Sequence, residues 1–192
     1  MNNLLVFSSK GVFSNIPIMI GIIILASLIL RIHYFPFNVP LTLDALEYFW
    51  YGTEIALNGN LPKGYSFANN GWPIFLSPFF LFVKLNSMIS HMEFQRAITV
   101  FISVFTTIPV YYLCRKFVGK NYALFGAFIF AFEPRLIQNS LLGLNNSLYL
   151  LLVTLSLYLF LNKTRKSLYF SFCISGLASL IRSEGLFLFF SI

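Results

Sequence analysis

Three of the six acids in this 192-residue chain fall in one short stretch, LDALEYFWYGTEIALNGN, as Asp44, Glu47 and Glu54. Thr42 is a candidate helix N-cap and Gly59 a C-terminal stop, so the stretch reads as one helix over 42–57. At helical spacing Asp44, Glu47, Tyr51 and Glu54 share one face, and Leu46, Trp50, Thr53 and Leu57 share another. Grouped, part-buried carboxylates can have a pKa raised enough for one to act as a base near neutral pH. The same spacing suits the solvated face of a helix lying at a membrane surface, and spacing alone leaves the two readings level. Three arginines, Arg96, Arg135 and Arg182, follow at the edges of apolar runs. A guanidinium fork suits phosphate, but each arginine also suits an interfacial anchor, and Arg96 can pair with Glu93 one helical turn away. His33, His91, Cys114 and Cys173 show no metal-ligand spacing, and both cysteines read as small buried hydrophobes.

The surroundings are those of a membrane. Hydrophobic residues make up 58% of the chain, charged residues 10%, and the mean hydropathy is +0.79. Soluble domains carry about 25% charged residues, so too few polar side chains are present to cover a water-soluble globule. The net charge of +7 does not point to nucleic acid, because the bases punctuate apolar runs and do not line one polar face. That is the pattern that orients membrane helices.

Five spans are expected: 12–30, 97–114, 122–137, 148–161 and 168–181, several shorter than the ideal of ~20 residues. The first lacks a small-residue cleavage site and reads as an uncleaved span. The short run PIFLSPFFLFVKL, 73–85, contains Pro78 and Lys84. If it does not cross, Lys10, the Arg115–Lys120 cluster and the Lys163–Lys166 cluster share one side. Arg31, Lys63, Lys84, Arg96, Arg135, Arg182 and all six acids then share the other. This arrangement satisfies the positive-inside rule with the amino terminus cytoplasmic, and makes 73–85 a helix on or dipping into the outer leaflet. The fold expected is all-α: a single polytopic membrane domain over 1–192, with a structured extracytoplasmic loop, 31–92, that carries amphipathic helices.

The order of these pieces resembles the amino-terminal half of the GT-C glycosyltransferases, among them the protein O-mannosyltransferases and lipid A aminoarabinose transferases. LTLDALEYFWYGTEIALNGNLP resembles the family's Asp-bearing outer helix, and GWPIFLSPFFLF its Pro-rich juxtamembrane segment. FQRAITVFISVFTTIPVYYLCRKFVGKNYALFGAFIFAFEPRLIQNSLL resembles its Arg-led helix, basic turn and Pro-terminated helix. NNSLYLLLVTLSLYLFL resembles the span that follows. ISGLASLIRSEGLFLF resembles the Gly-Leu-Ala-x-Leu-x-Arg-x-Glu-Gly turn. The resemblance implies inverting transfer of a sugar from a polyprenyl-phosphate carrier to an acceptor hydroxyl or amide on protein, lipid or glycan, at the extracytoplasmic face of a cell membrane. It implies Asp44 as the general base and Glu47 as a second carboxylate or metal ligand. It places Arg182 near the carrier phosphate, with Arg96, Arg135, Glu184 and Tyr48 as further substrate contacts. A divalent metal is compatible with this set but not required by it.

Two departures stand out. Asn145-Asn146 occupies the place where many relatives have an acid, and Asp44 and Glu47 are three apart where some relatives have a paired Asp-Glu. The chain ends inside an apolar run, GLFLFFSI, so it reads as a portion of a longer module. Two other classes fit the composition: a transporter or channel with Arg96, Arg135 and Arg182 along one anion path, and a non-catalytic membrane scaffold. A carboxylate-bearing outer helix favours the enzyme, and a charge in mid-span would favour transport.

Overall fold

The computed structural model describes residues 15–65, 69–82 and 87–192, and among them the chain is all helix and loop with no strand. Lys10, Lys84, Leu85 and the first residues of the expected span 12–30 lie outside the described residues. Helix α1 spans Ile16–His33, α2 Leu43–Asn58, α3 Gly71–Phe82, α4 Met88–Phe105 and α5 Thr107–Cys114. Then come α6 Lys120–Phe132, α7 Pro134–Leu142, α8 Asn146–Phe160, α9 Arg165–Ile181 and α10 Gly185–Ser191.

Among the described residues, two stretches are long and apolar enough to cross a bilayer: Ile16–His33 and Met88–Cys114, the latter formed by α4 and α5. The expected second span thus begins nine residues before Ala97 and takes Glu93 and Arg96 into its helix. The expected third span is broken. Glu133 caps α7 by accepting from the Leu136 amide at 2.8 Å, and Pro134 opens that helix. At 1.5 Å per residue α6 alone rises only about 20 Å, short of a ~30 Å hydrocarbon core.

Polarity is distributed inside out. Ile18, Ile22, Leu25 and Ile29 on α1 and Phe125, Phe128 and Ile129 on α6 are exposed, whereas Ser27, Thr99, Thr106, Ser140, Ser156 and Ser171 are buried. Water would penalise so much exposed apolar surface, and lipid does not. Small residues bring the helices close. Ala123, Ala127 and Ala131 form one stripe of α6 that packs against Ile20 and Ile23 of α1. Ser156 of α8 and Ser171 of α9 each donate to the other's carbonyl, at 3.0 and 2.8 Å.

Arg31 corrects the limit of the first span: the helix runs on past Leu30 to His33, and Arg31 lies in its last turn, fully buried. Its guanidinium donates to Ser140 Oγ at 3.2 Å, Ser103 Oγ at 3.2 Å, the Ala131 carbonyl at 3.0 Å and Ser27. All these partners are neutral oxygens. Cys173 is a second correction: it is exposed on α9, so only Cys114 is part-buried.

The second core holds the candidate site. Helix α3 lays Trp72, Leu76 and Phe80 against Ala45 and Phe49 of α2, and Leu41, Met92, Leu148 and Ile181 complete the cluster. Gly52 permits this approach, since a Cβ there would meet Phe80 at 3.1 Å and the Pro73 carbonyl at 3.3 Å. Twelve residues give α3 a rise of about 18 Å, too little to cross unaided.

Candidate active site

Helix α2 starts at its expected place. Thr42 is the N-cap and Gly59 the C-cap, with the glycine in the left-handed region (φ 68°) that closes a helix. The chain enters it abruptly: Leu43 has φ 49°, a conformation that the Cβ of an L-residue disfavours, directly before Asp44. The faces differ from the periodic expectation. Ala45, Phe49 and Gly52 form the buried face, and Tyr51 is buried too, packed edge-on against Tyr65. Tyr51 therefore does not share an open face with Asp44 and Glu47, which are both exposed. Trp50 is 39% exposed and set edge-on to Phe49.

An open cleft of ≈ 330 Å³ gathers residues from four places in the chain. Asp44 and Tyr48 come from α2, Asn69 from the loop before α3, Leu144 to Asn146 from the head of α8, and Ile181 to Glu184 from the turn between α9 and α10. Of the sequence-derived candidates, Asp44, Tyr48, Arg182 and Glu184 thus meet. Glu47 does not line the cleft, although its charge is felt at Tyr48. Arg96 faces elsewhere: it donates to the Val39 and Pro40 carbonyls and lines a separate, mainly apolar cavity of ≈ 560 Å³ beside α1 and α7. Arg135 is exposed and outside the cleft. The three arginines therefore do not line one path.

Among the described residues that line the cleft, Arg182 is the cation. Its Nε and Nη2 donate to the two oxygens of Glu184 at 3.3 and 2.7 Å, its Nη1 donates to Asn146 Oδ1, and its guanidinium lies 5.7 Å from the Tyr149 ring centre. The hydrogen bond from Arg182 holds the Glu184 carboxyl below the usual carboxylate range, and the same bond raises the Arg182 pKa. A carboxylate so lowered keeps its pair at all pH above its unfolded value and loses it only in stronger acid. The Tyr48 phenol is pushed up by burial, then by Asp44, with Arg182 opposing.

Two amides brace the cleft, and neither stood out as a candidate from residue type. Asn145 Nδ2 donates to the Tyr48 hydroxyl at 3.2 Å and to the Ile181 carbonyl at 3.1 Å, joining the acid-bearing helix to the arginine-bearing turn. Gln95, fully buried on α4, donates to the Ala45 and Gly143 carbonyls, both at 3.0 Å. The departure from the family pattern at Asn145-Asn146 was the one signal pointing to this head of α8. Glycines complete the setting. A Cβ on Gly71 would lie 2.6 Å from the Leu180 carbonyl, and one on Gly185 2.5 Å from the Ser179 nitrogen. Both hold the Arg182 turn by close backbone approach. Asn145→Ala should remove both bonds of its brace and lower stability by about 1–3 kcal/mol. Thermal unfolding in detergent checks this, and an unchanged midpoint would show that the brace carries no weight.

Among the described residues no three His, Cys, Asp or Glu side chains come together as a metal site would require. No curated protein and no solved structure matches the chain. The family model of dolichyl-phosphate-mannose-protein mannosyltransferases matches residues 77–192, which include Arg96, Arg135, Arg182 and Glu184 but not α2. That match covers more than half of the chain, which therefore belongs to the dolichyl-phosphate-mannose-protein mannosyltransferase family of membrane glycosyltransferases.

Proposed function

We propose that the cleft transfers a sugar from a polyprenyl-phosphate carrier to an acceptor hydroxyl or amide at the extracytoplasmic face. Asp44 acts as general base and Arg182 holds the carrier phosphate. The observation that carries this reading is that Asp44, Tyr48 and Arg182 line one open cleft although they lie far apart in the chain. For a hydroxyl acceptor, the Asp44 carboxylate takes the proton as the oxygen attacks the anomeric carbon. The sugar–phosphate bond breaks, and the phosphate oxygen keeps the electron pair. A single displacement of this kind inverts the anomeric centre. Arg182 supplies fixed positive charge where the leaving phosphate gains negative charge. Tyr48 and Glu184 sit beside both groups, and Glu47 adds negative charge at the edge of Tyr48. Transfer from a labelled polyprenyl-phosphate sugar, with the full chain in proteoliposomes, tests the reading. Absence of any carrier binding would remove it and leave the scaffold reading ahead.

The same reading fixes a topology: amino terminus cytoplasmic, five crossings with α6 and α7 together forming the third, and α3 outside the count. Its support is the separation of acids from the basic clusters along the chain. In a background lacking Cys114 and Cys173, a cysteine replacing Lys63 should label from outside and cysteines replacing Lys120 or Lys163 from inside. Labelling of the Lys63 and Lys120 positions from one side would overturn this arrangement.

A further inference from the structure

Glu184 lies in the way of the phosphate that Arg182 is assigned to hold. Its two carboxylate oxygens take the Nε and Nη2 edge of Arg182, at 3.3 and 2.7 Å. Two parallel bonds on that edge are also how a guanidinium grips phosphate, so the two anions compete for the same donors. We propose that Glu184 is an exchangeable counter-ion, which yields this edge to the carrier phosphate and retakes it to expel the product. The inference rests on the donor site proposed above and deepens it.

The local structure suits exchange. The pair is half in solvent, with side chains 35% and 53% exposed for Arg182 and Glu184, so it is weakly held. Arg182 keeps other partners when the carboxylate departs, namely Asn146 and the face of Tyr149. The turn backbone packs closely here, since a Cβ on Gly185 would lie 2.5 Å from the Ser179 nitrogen. Exchange is therefore a side-chain movement of Glu184 over a guanidinium that stays in place. Reaction chemistry makes such a competitor useful. The donor is a phosphodiester with one negative charge. Bond cleavage leaves a monophosphate carrying up to two, since its second pKa is about 6. The product thus grips Arg182 harder than the donor does, and a resident carboxylate shortens that grip.

The test measures donor KM, turnover and inhibition by polyprenyl monophosphate for the full chain and for Glu184→Gln and Glu184→Asp. Glu184→Gln should lower the product inhibition constant by about 1.5- to fivefold, as expected on removing a half-exposed ion-pair partner. It should lower donor KM by less and reduce turnover while leaving a first-turnover burst, the sign of slow release. Glu184→Asp, which keeps the charge on a shorter side chain, should raise the product inhibition constant again, part of the way from Glu184→Gln to wild type. If wild type binds polyprenyl monophosphate but Glu184→Gln binds it equally or less tightly, the exchange is overturned while the donor site stands. If wild type binds none, the donor-site reading falls and takes this inference with it.

Discussion

Replacing Asp44 by asparagine should lower turnover by about 10²–10⁴ while leaving carrier affinity nearly unchanged, the usual loss for a general base. The substitution keeps the side chain's size and removes only its basic oxygen. Little of the effect can come from misfolding. Asp44 is exposed in the first turn of α2, where a negative charge is favoured by the helix dipole by about 0.3–1 kcal/mol. A second readout separates chemistry from structure. Burial first, and then Asp44, raise the Tyr48 phenol, so Asp44→Asn should lower that pKa in part while burial keeps it above its ordinary value. Ultraviolet titration with and without Tyr48→Phe isolates this phenol among the ten tyrosines, independently of turnover. A variant with wild-type turnover and a lowered Tyr48 pKa would show that Asp44 borders the cleft without being its base.

Arg182→Ala should lower kcat/KM by about 10²–10³, with weaker donor binding and a slower step together, because phosphate charge grows as the bond breaks. Arg182→Lys keeps the charge but loses the planar fork, and should recover only part of the deficit. The fold should survive, since the carboxylate left behind on Glu184 is more than half exposed and can be solvated by water. The raised pKa of Arg182 keeps it charged throughout the working range, so it contributes no limb to the pH profile of wild type. A kcat/KM unchanged in Arg182→Ala would move the phosphate site away from the α9–α10 turn.

What could be read from the residues, and what could not, divides along local and non-local causes. The limits of α2 follow from a β-region Thr42 and a left-handed Gly59, both local signals, and the structure meets them within one residue. Its buried face was not legible. Periodicity showed which residues share a face, but only the packing of α3 decided that Ala45, Phe49 and Gly52 turn inward and that Tyr51 joins them. Glu133-Pro134 lies inside the expected span 122–137, and its consequence, a capped new helix and not a continued span, depends on the Glu133 side chain reaching the Leu136 amide. The meeting of Asp44 with Arg182 came from the family resemblance and not from spacing, for no local rule links residues so far apart. Gln95 and Asn145 gave no signal of their own type. A buried amide looks like any polar residue until the carbonyls it serves are in place.

Arg31 carries a consequence for biogenesis. Its partners Ser103, Ala131 and Ser140 lie 72, 100 and 109 residues further along the chain. At ~5–20 residues per second, ribosomes deliver the last of them about 5–20 s after Arg31 itself. Until Ser103 is made, the guanidinium sits at the end of a newly inserted helix with only Ser27, of these partners, to bond. It must wait at the headgroup level, where a long cationic side chain can reach water. Docking of α1 is then a late and separate assembly event, completed when the hydroxyls of α4 and α7 close around the charge. Nascent chains arrested before Ser103 should leave Arg31 open to an aqueous quencher placed near it, and chains released after α7 should shield it.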